Sequence, residues 1–244
     1  PGTRVAILVQ EQTLNADENA AAQEIALPAP TESVEWPQAG GYANHAMHHI
    51  LIAENIQRAW SRSIGEGSDD ADRVIAQPVV ADGRIFTMDA ESVIRAGDAR
   101  TGDQQWKVDL TPEDEDEGHI GGGLAVDGGT LFVTTGFGEV VAMNAGDGKV
   151  LWRRNLIAPM RAAPTVNAGR VFVLTLTNKQ FALDAQSGEV LWNHSGIEES
   201  TNLLGGASPA VDSGVVIVPY SSGELVALRL ENGQELWNDS LAGQ

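Results

Sequence analysis

The chain has 244 residues, with 34 acidic against 15 basic side chains for a formal charge of −19, and no cysteine. A surface of that sign argues against nucleic acid and anionic lipid as partners, and the missing thiols exclude a disulfide framework and any cysteine-based metal site. No apolar run approaches the roughly 20 residues that a helix needs to span a bilayer.

Residues 1–60 read as an N-terminal extension ahead of the repeats. The opening PGTRVAILVQEQTLN holds one basic residue, and its apolar stretch, Val5 to Val9, is too short for a signal peptide. His45, His48 and His49 are spaced so that imidazoles could share one face of a helical turn, as metal ligands do. No Asp, Glu or Cys stands at ligand spacing among them, and Glu54 is the nearest acid, so the segment reads as a packing loop and no metal is assigned.

Residues 61–244 are an array of one unit. Trp106, Trp152, Trp192 and Trp237 each follow a glycine by four residues, at Gly102, Gly148, Gly188 and Gly233. Each also follows an alanine by ten, at Ala96, Ala142, Ala182 and Ala227. Three residue types held in register over four copies indicate a structural repeat. Pro78, Pro164 and Pro209 mark the start of three units, and Gly123 is the counterpart in the second.

Each unit predicts strands and no helix. A short apolar run such as PTV leads through N-A-G to a β-branched run such as RVFVLTL, then to an alternating FALDA, then through S-G-E to a strand ending at tryptophan. The turn glycines suit positive φ. Small antiparallel sheets of this length predict an all-β fold, a β-propeller of four-stranded blades with the small residues nearest the axis. The tryptophans then pack between neighbouring blades, where each removes on the order of 150–250 Å² from water. The run Glu113 to Glu117 falls between two units and reads as a solvated loop, since it lacks the spaced ligands and central glycine of a calcium loop. Asp184 sits at the repeat's own turn, where a carboxylate bonds nearby backbone N–H groups.

The motif Ala-x-Asp-x-x-Ser/Thr-Gly-x-x-x-Trp, complete at Ala182 to Trp192, resembles the pyrroloquinoline-quinone-type propeller repeat. Leu151 to Trp192, GIEESTNLLGGASPAV and PYSSGELVALRLENGQELW are similar to the BamB family of outer-membrane assembly lipoproteins, alphaproteobacterial type. EWPQAGGYANHAMHH and AWSRSIGEG look like that family's opening segment, so the resemblance runs from about Val34 to Leu241. It implies an eight-bladed ring of which this chain supplies about four blades, apparently the N-terminal half, with an N-terminal strand completing the last blade. It also implies a periplasmic protein held at the outer membrane by a lipidated cysteine, which this chain lacks.

The function so implied is a non-catalytic scaffold whose loops engage the periplasmic domains of BamA, the barrel-inserting subunit, and assist insertion of outer-membrane clients. Ile157 to Arg161 matches the place where the family carries apolar residues and an arginine used in docking, which makes Arg161 and Met160 partner contacts. A second loop, Ile197 to Gly206, is expected beside it. Gly205 and Gly206 replace the family's acidic docking residues there, and Leu203 and Leu204 offer an apolar contact instead.

Two other classes stay open. Relatives of the repeat include quinone-dependent dehydrogenases, but the adjacent-cysteine ring common in the alcohol dehydrogenases is absent and few cationic donors are in evidence, so no cofactor is assigned. An extracytoplasmic ligand-binding propeller is the third reading. A lone half ring leaves open flanks, resolved by a fragment of a longer chain, a pair of half rings closing on one another, or a small closed four-bladed ring.

Overall fold

The computed structural model describes residues 26–70, 73–115, 120–199 and 206–240. Among these residues the regular elements are strands alone. Blade 1 comprises β1 (Val79–Ala81), β2 (Arg84–Met88), β3 (Val93–Asp98) and β4 (Gln104–Asp109), and blade 2 comprises β5 (Gly123–Asp127), β6 (Thr130–Thr134), β7 (Glu139–Asn144) and β8 (Val150–Asn155). Blade 3 comprises β9 (Thr165–Asn167), β10 (Arg170–Leu174), β11 (Lys179–Asp184) and β12 (Val190–Ser195), and blade 4 comprises β13 (Ala210–Asp212), β14 (Val215–Pro219), β15 (Glu224–Arg229) and β16 (Glu235–Ser240). Each is a separate antiparallel meander in chain order. The outer strands run three residues past the tryptophan instead of ending at it.

The repeat frame is a row of side chains across each sheet. Ala96, Ala142, Ala182 and Ala227 pair with Trp106, Trp152, Trp192 and Trp237, and on their other side with Phe86, Phe132, Phe172 and Ile217. The small alanine lets the larger groups meet over it. Phe86–Trp106, Phe132–Trp152 and Phe172–Trp192 lie with ring centroids 5.9, 6.1 and 5.9 Å apart in tilted pairs. A register shift just after each alanine marks a bulge that re-aims the outer strand.

The glycine of one blade receives the tryptophan of the blade before. A Cβ at Gly148, Gly188 or Gly233 would fall 2.6–2.8 Å from the indoles of Trp106, Trp152 and Trp192, and all three glycines have φ near 70–75°. Both the left-handed backbone and the ring overhead therefore select glycine. The indole N–H donates to a carbonyl three residues before that glycine, at Ala145, Ala185 and Leu230, over 2.9–3.1 Å. Three hydrophobic clusters fill the spaces between blades 1 and 2, 2 and 3, and 3 and 4.

A fifth tryptophan belongs to the same set. Trp60 lies over Gly102 of blade 1 and donates to the carbonyl of Ala99 over 3.1 Å. Arg62, two residues on, pairs with Asp103 at 3.0 Å, and Arg95 ties the segment to blade 1 by donating to the carbonyl of Ile64 and to the buried Asp89. At the other flank Trp237 is 47% exposed, against 8% for Trp192. The blades form an open arc: blade 1's socket is filled by Trp60, and Trp237 has none among the described residues, so a closed four-bladed ring is not what forms.

Along the axis, the N-terminal segment runs across the inner strands. Trp36 exchanges two 2.8 Å backbone hydrogen bonds with Val80, and Val126 N–H donates to Pro37 O over 2.8 Å. The Gln38 amide both accepts from Val166 N–H and donates to Val166 O, at 2.8 and 2.9 Å, and Val211 N–H donates to Ala43 O over 2.7 Å. Val80, Val126, Val166 and Val211 hold one position in the repeat, so a single segment satisfies four equivalent inner edges. Neighbouring blades are also pinned directly near the axis, where Thr134 Oγ1 of β6 donates to Ala162 O at 2.7 Å and Thr165 Oγ1 of β9 donates to Pro209 O at 2.5 Å.

Asp184 accepts from Gln186 N–H, Ser187 N–H and Ser187 Oγ–H over 2.8–3.0 Å, and Asn144 holds the equivalent turn in blade 2 with bonds to Gly146 and Asp147 N–H. Backbone and hydroxyl bonds from Ser187 hold the Asp184 carboxyl below its ordinary range, and bonds from Thr101 and Arg100 do the same at Asp98. A depressed folded pKa contributes stability above the usual carboxylate range and loses it as pH falls through the folded value.

Two predictions follow from this packing. Trp192→Ala should cost about 3–5 kcal/mol of unfolding free energy, whereas Trp237→Ala, at a half-exposed site, should cost under about 1 kcal/mol by urea denaturation. Asp184→Asn, which keeps the turn's acceptor but not its charge, should lower stability near neutral pH and make its decline below about pH 4 shallower than in the parent chain, so that the two converge in acid.

Candidate functional site

Where blade 2 passes into blade 3, the loop after β8 is fixed from both sides. Met160 N–H donates to Thr135 O over 3.2 Å, and Leu176 N–H donates to Pro159 O over 2.9 Å. Met160, expected as a surface contact, is instead fully buried in the cluster between these two blades. The alternation of the loop turns its neighbour outward, and Arg161 is half-buried at the rim of a cavity of about 220 Å³ between blades 3 and 4.

The apolar group that this loop presents is Ile157. It is 91% exposed and sits at φ 73°, a conformation costly for a β-branched residue, braced by Asn155 Oδ1 accepting from its N–H at 2.6 Å. Ile197, five residues past its tryptophan as Ile157 is, stands at the same place one blade on and is 60% exposed. Its N–H donates to Glu224 and its carbonyl accepts from Asn178 Nδ2. Two isoleucines and an arginine thus crown adjacent blades. Only the tryptophan-plus-five spacing, read together with exposure, could have picked them out of the sequence.

Of the second loop, Gly206 lies beside the first. A Cβ on Gly206 would lie 3.2 Å from Ala162 Cβ and 3.4 Å from the Arg161 carbonyl carbon, so this glycine permits close approach. Leu203, Leu204 and Gly205 lie outside the described residues. Beneath the cavity Asn178, 2% exposed at φ 54°, accepts from Ser221 N–H and Oγ–H at 3.1 and 2.9 Å, locking the turn of blade 3 to that of blade 4. Tyr220 closes the floor, its hydroxyl 2.7 Å from His194 Nδ1. Burial, with the Glu224 and Glu235 carboxylates nearby, raises its pKa and keeps it neutral. These groups bond one another and build a rigid rim with little reactive character.

A larger cavity of about 600 Å³ opens at the other end of the inner strands, where Glu35, Asp82, Asp127 and Asp212 line it with the turns that follow β1, β5 and β13. Among the described residues no lysine or arginine lines it. That donor set does not fit a quinone bearing several carboxylates. Nor do any three His, Asp or Glu side chains among the described residues stand close enough to share a metal ion. His45 and His48 both sit at positive φ, at 55° and 53°, and His49 bonds the Pro28 carbonyl at 2.8 Å. Burial lowers the pKa of His45, whose Nε2 is enclosed without a partner. Glu113 to Glu115 are exposed, and Asp116 and Glu117 lie outside the described residues.

Comparison with known proteins places this scaffold. The sequence model of the family described as outer membrane protein assembly factor BamB matches residues 90–244. BamB of Escherichia coli K12 is 28% identical over 112 residues, covering 44% of this chain and 28% of that protein, so the match spans under a third of the relative's length. A quinohemoprotein alcohol dehydrogenase of Comamonas testosteroni is similarly near, 29% identical over 145 residues, 54% of this chain and 20% of its own. Among solved structures, BamB of Moraxella catarrhalis superposes with a TM-score of 0.60 at 22% identity, covering 68% of this chain and 49% of that one. The Comamonas dehydrogenase superposes at 0.66 and 21%, covering 84% and 41%. At these identities the structural likeness shows the propeller fold. No helix among the described residues is long and apolar enough to cross a membrane. The family model covers more than half of the sequence, and the chain belongs to the BamB family of propellers built from quinone-type repeats.

Proposed function

We propose that the chain is a non-catalytic periplasmic scaffold of outer-membrane protein assembly that docks a BamA-like periplasmic domain on the rim formed by the loops after blades 2 and 3. One observation carries this: a single loop holds Ile157, almost wholly exposed at a strained φ, and, four residues on, Arg161 at the mouth of a cavity. Strain held in place by surrounding bonds is a mark of functional positions, and an arginine among exposed apolar groups has the composition of a binding hot spot. The family's work on outer-membrane assembly supports the choice of partner. Residue by residue, Arg161 is the polar anchor, Ile157 and Ile197 are the apolar contacts in place of Met160, and Leu203 and Leu204, outside the described residues, are proposed as further apolar contacts.

The competing reading is a quinone-dependent dehydrogenase, favoured by the similarity to the Comamonas enzyme. The acidic lining of the axial cavity opposes it. Reconstitution with quinone and calcium in a dye-linked alcohol assay separates the two, since any turnover above the protein-free control supports the enzyme.

Arg161→Glu and Ile157→Ser should each weaken binding of a purified BamA periplasmic fragment at least tenfold by calorimetry, with the unfolding midpoint unmoved. Unchanged affinity in both would remove the docking role. Met160→Ala should behave in the opposite way, costing about 2–5 kcal/mol of stability through the cavity it leaves.

A further inference from the structure

The junction between blades 3 and 4 is packed the other way round from the two before it. Four residues past its tryptophan each chain segment returns to a turn of its own blade, where the N–H of Leu110, Leu156 and Gly196 donates to the carbonyl of Ser92, Gly138 and Asn178. The two leucines fill the gap to the following blade: Leu110 is fully buried in the cluster between blades 1 and 2, and Leu156 packs on the cluster between blades 2 and 3. Directly after the second strand of each blade stand Asp89, Thr135, Thr175 and Tyr220, one position of the repeat, whose N–H groups donate to the carbonyls of Val93, Glu139, Lys179 and Glu224. In the first three blades the side chain closes its own turn. Asp89 Oδ1 accepts from Val93 N–H, and the two threonine hydroxyls bond the backbone of Glu139 and Lys179.

At the last junction small and large change places. Gly196 stands where the earlier blades have leucine, and Tyr220 stands where blades 2 and 3 have threonine. A Cβ built on Gly196 would fall 2.7–2.8 Å from three carbons of the Tyr220 ring, so the ring lies directly against the chain at this residue. The ring is buried, stacks on His194 with centroids 5.9 Å apart, and places its hydroxyl 2.7 Å from His194 Nδ1. The same turn of blade 4 then holds the next residue. Ile197 N–H donates to Glu224 Oε2 over 2.8 Å, and Ile197 O accepts from Asn178 Nδ2, whose Oδ1 is in turn held by Ser221. Ile157, its counterpart one blade back, is braced by Asn155 inside its own loop.

We infer that Tyr220 and Gly196 are a positioning pair: they seat the loop after blade 3 on the turn of blade 4 and so fix Ile197 where a partner meets it, the last step resting on the docking role proposed above. Packing alone gives no reason for the exchange, because leucine with threonine already closes two junctions of the same frame. What the exchange adds is the course of the backbone. A leucine at 196 would hold the chain off the ring, whereas glycine lets it settle there, within reach of Glu224 and Asn178. Tyr220 thus acts through Ile197, which is 60% exposed and yet tied by its N–H to blade 4 and by its carbonyl to blade 3.

The double variant Gly196→Leu/Tyr220→Thr rebuilds here the pair that the other two junctions use. Either substitution alone should lower the urea midpoint of unfolding, one by collision and the other by the cavity it leaves, and the double variant should recover at least half of the summed loss. Two further readouts separate positioning from packing. Hydrogen exchange of the Ile197 amide, followed by NMR, should run at least fivefold faster in the double variant than in the parent chain, with the Leu156 amide as the unmoved reference. Affinity for the BamA periplasmic fragment should fall at least fivefold by calorimetry, and Tyr220→Phe, which keeps the ring, should rescue both readouts to within twofold of the parent. A double variant that regains stability while Ile197 exchange and affinity stay at the parent's values makes the pair a matter of packing and overturns the proposal. So does a double variant that regains no stability, since the two residues would then not be exchanging places. Faster exchange with unchanged affinity overturns the step to the partner. Should the parent chain bind no fragment, the docking role alone fails, and the exchange rates still decide whether Tyr220 and Gly196 position the loop.

Discussion

Everything in this molecule depends on an indole seated on a glycine. The contact does three things at once: it buries a large apolar ring between sheets, satisfies the indole N–H on a carbonyl of the next blade, and demands a left-handed glycine that also ends the hairpin leading to the outer strand. Because sheets of one blade share no strand with the next, side-chain contacts must span the gaps, and the indole is the largest group in the clusters that do so. Side chains along the alanine row serve the same junction, since a residue larger than alanine would hold the phenylalanine and the indole apart.

That economy explains why the fold was legible in the sequence. Tryptophan, glycine and alanine are each irreplaceable for a different physical reason, so they hold register while residues between them drift. The phenylalanine row was equally regular at Phe86, Phe132 and Phe172 and escaped notice because Ile217 breaks it in the fourth unit. Trp60 has no alanine ten residues or glycine four residues ahead of it, so its place in the set shows only in the fold, where it covers Gly102. Such a segment borrows the socket of the following blade without building one of its own.

The rim proposed for docking was less legible, and Met160 shows why. Arg161 and Met160 are neighbours in sequence, but in an extended loop neighbours point to opposite sides, so they cannot both face a partner. Exposure belongs to the folded chain, and in this loop it puts Ile157 at the surface and Met160 in the core. The cavity beside Arg161 depends on Asn178, Ser221 and Gly206, which lie far apart along the chain and carry no shared motif. Loops of this kind take their geometry from the blades that carry them, which is the sense in which a repeat scaffold can change function without changing its frame.

The strap formed by Trp36 to Ala43 imposes an order in time. Its last contact in the array is with Val211, which is made only after three blades and part of a fourth have left the ribosome. Blades can add to one another from the N-terminal side through local contacts, but the segment synthesised first must wait to find its place last. Its hydrogen bonds to four inner edges then couple units that would otherwise unravel one at a time, turning a linear stack into a body that opens as a whole.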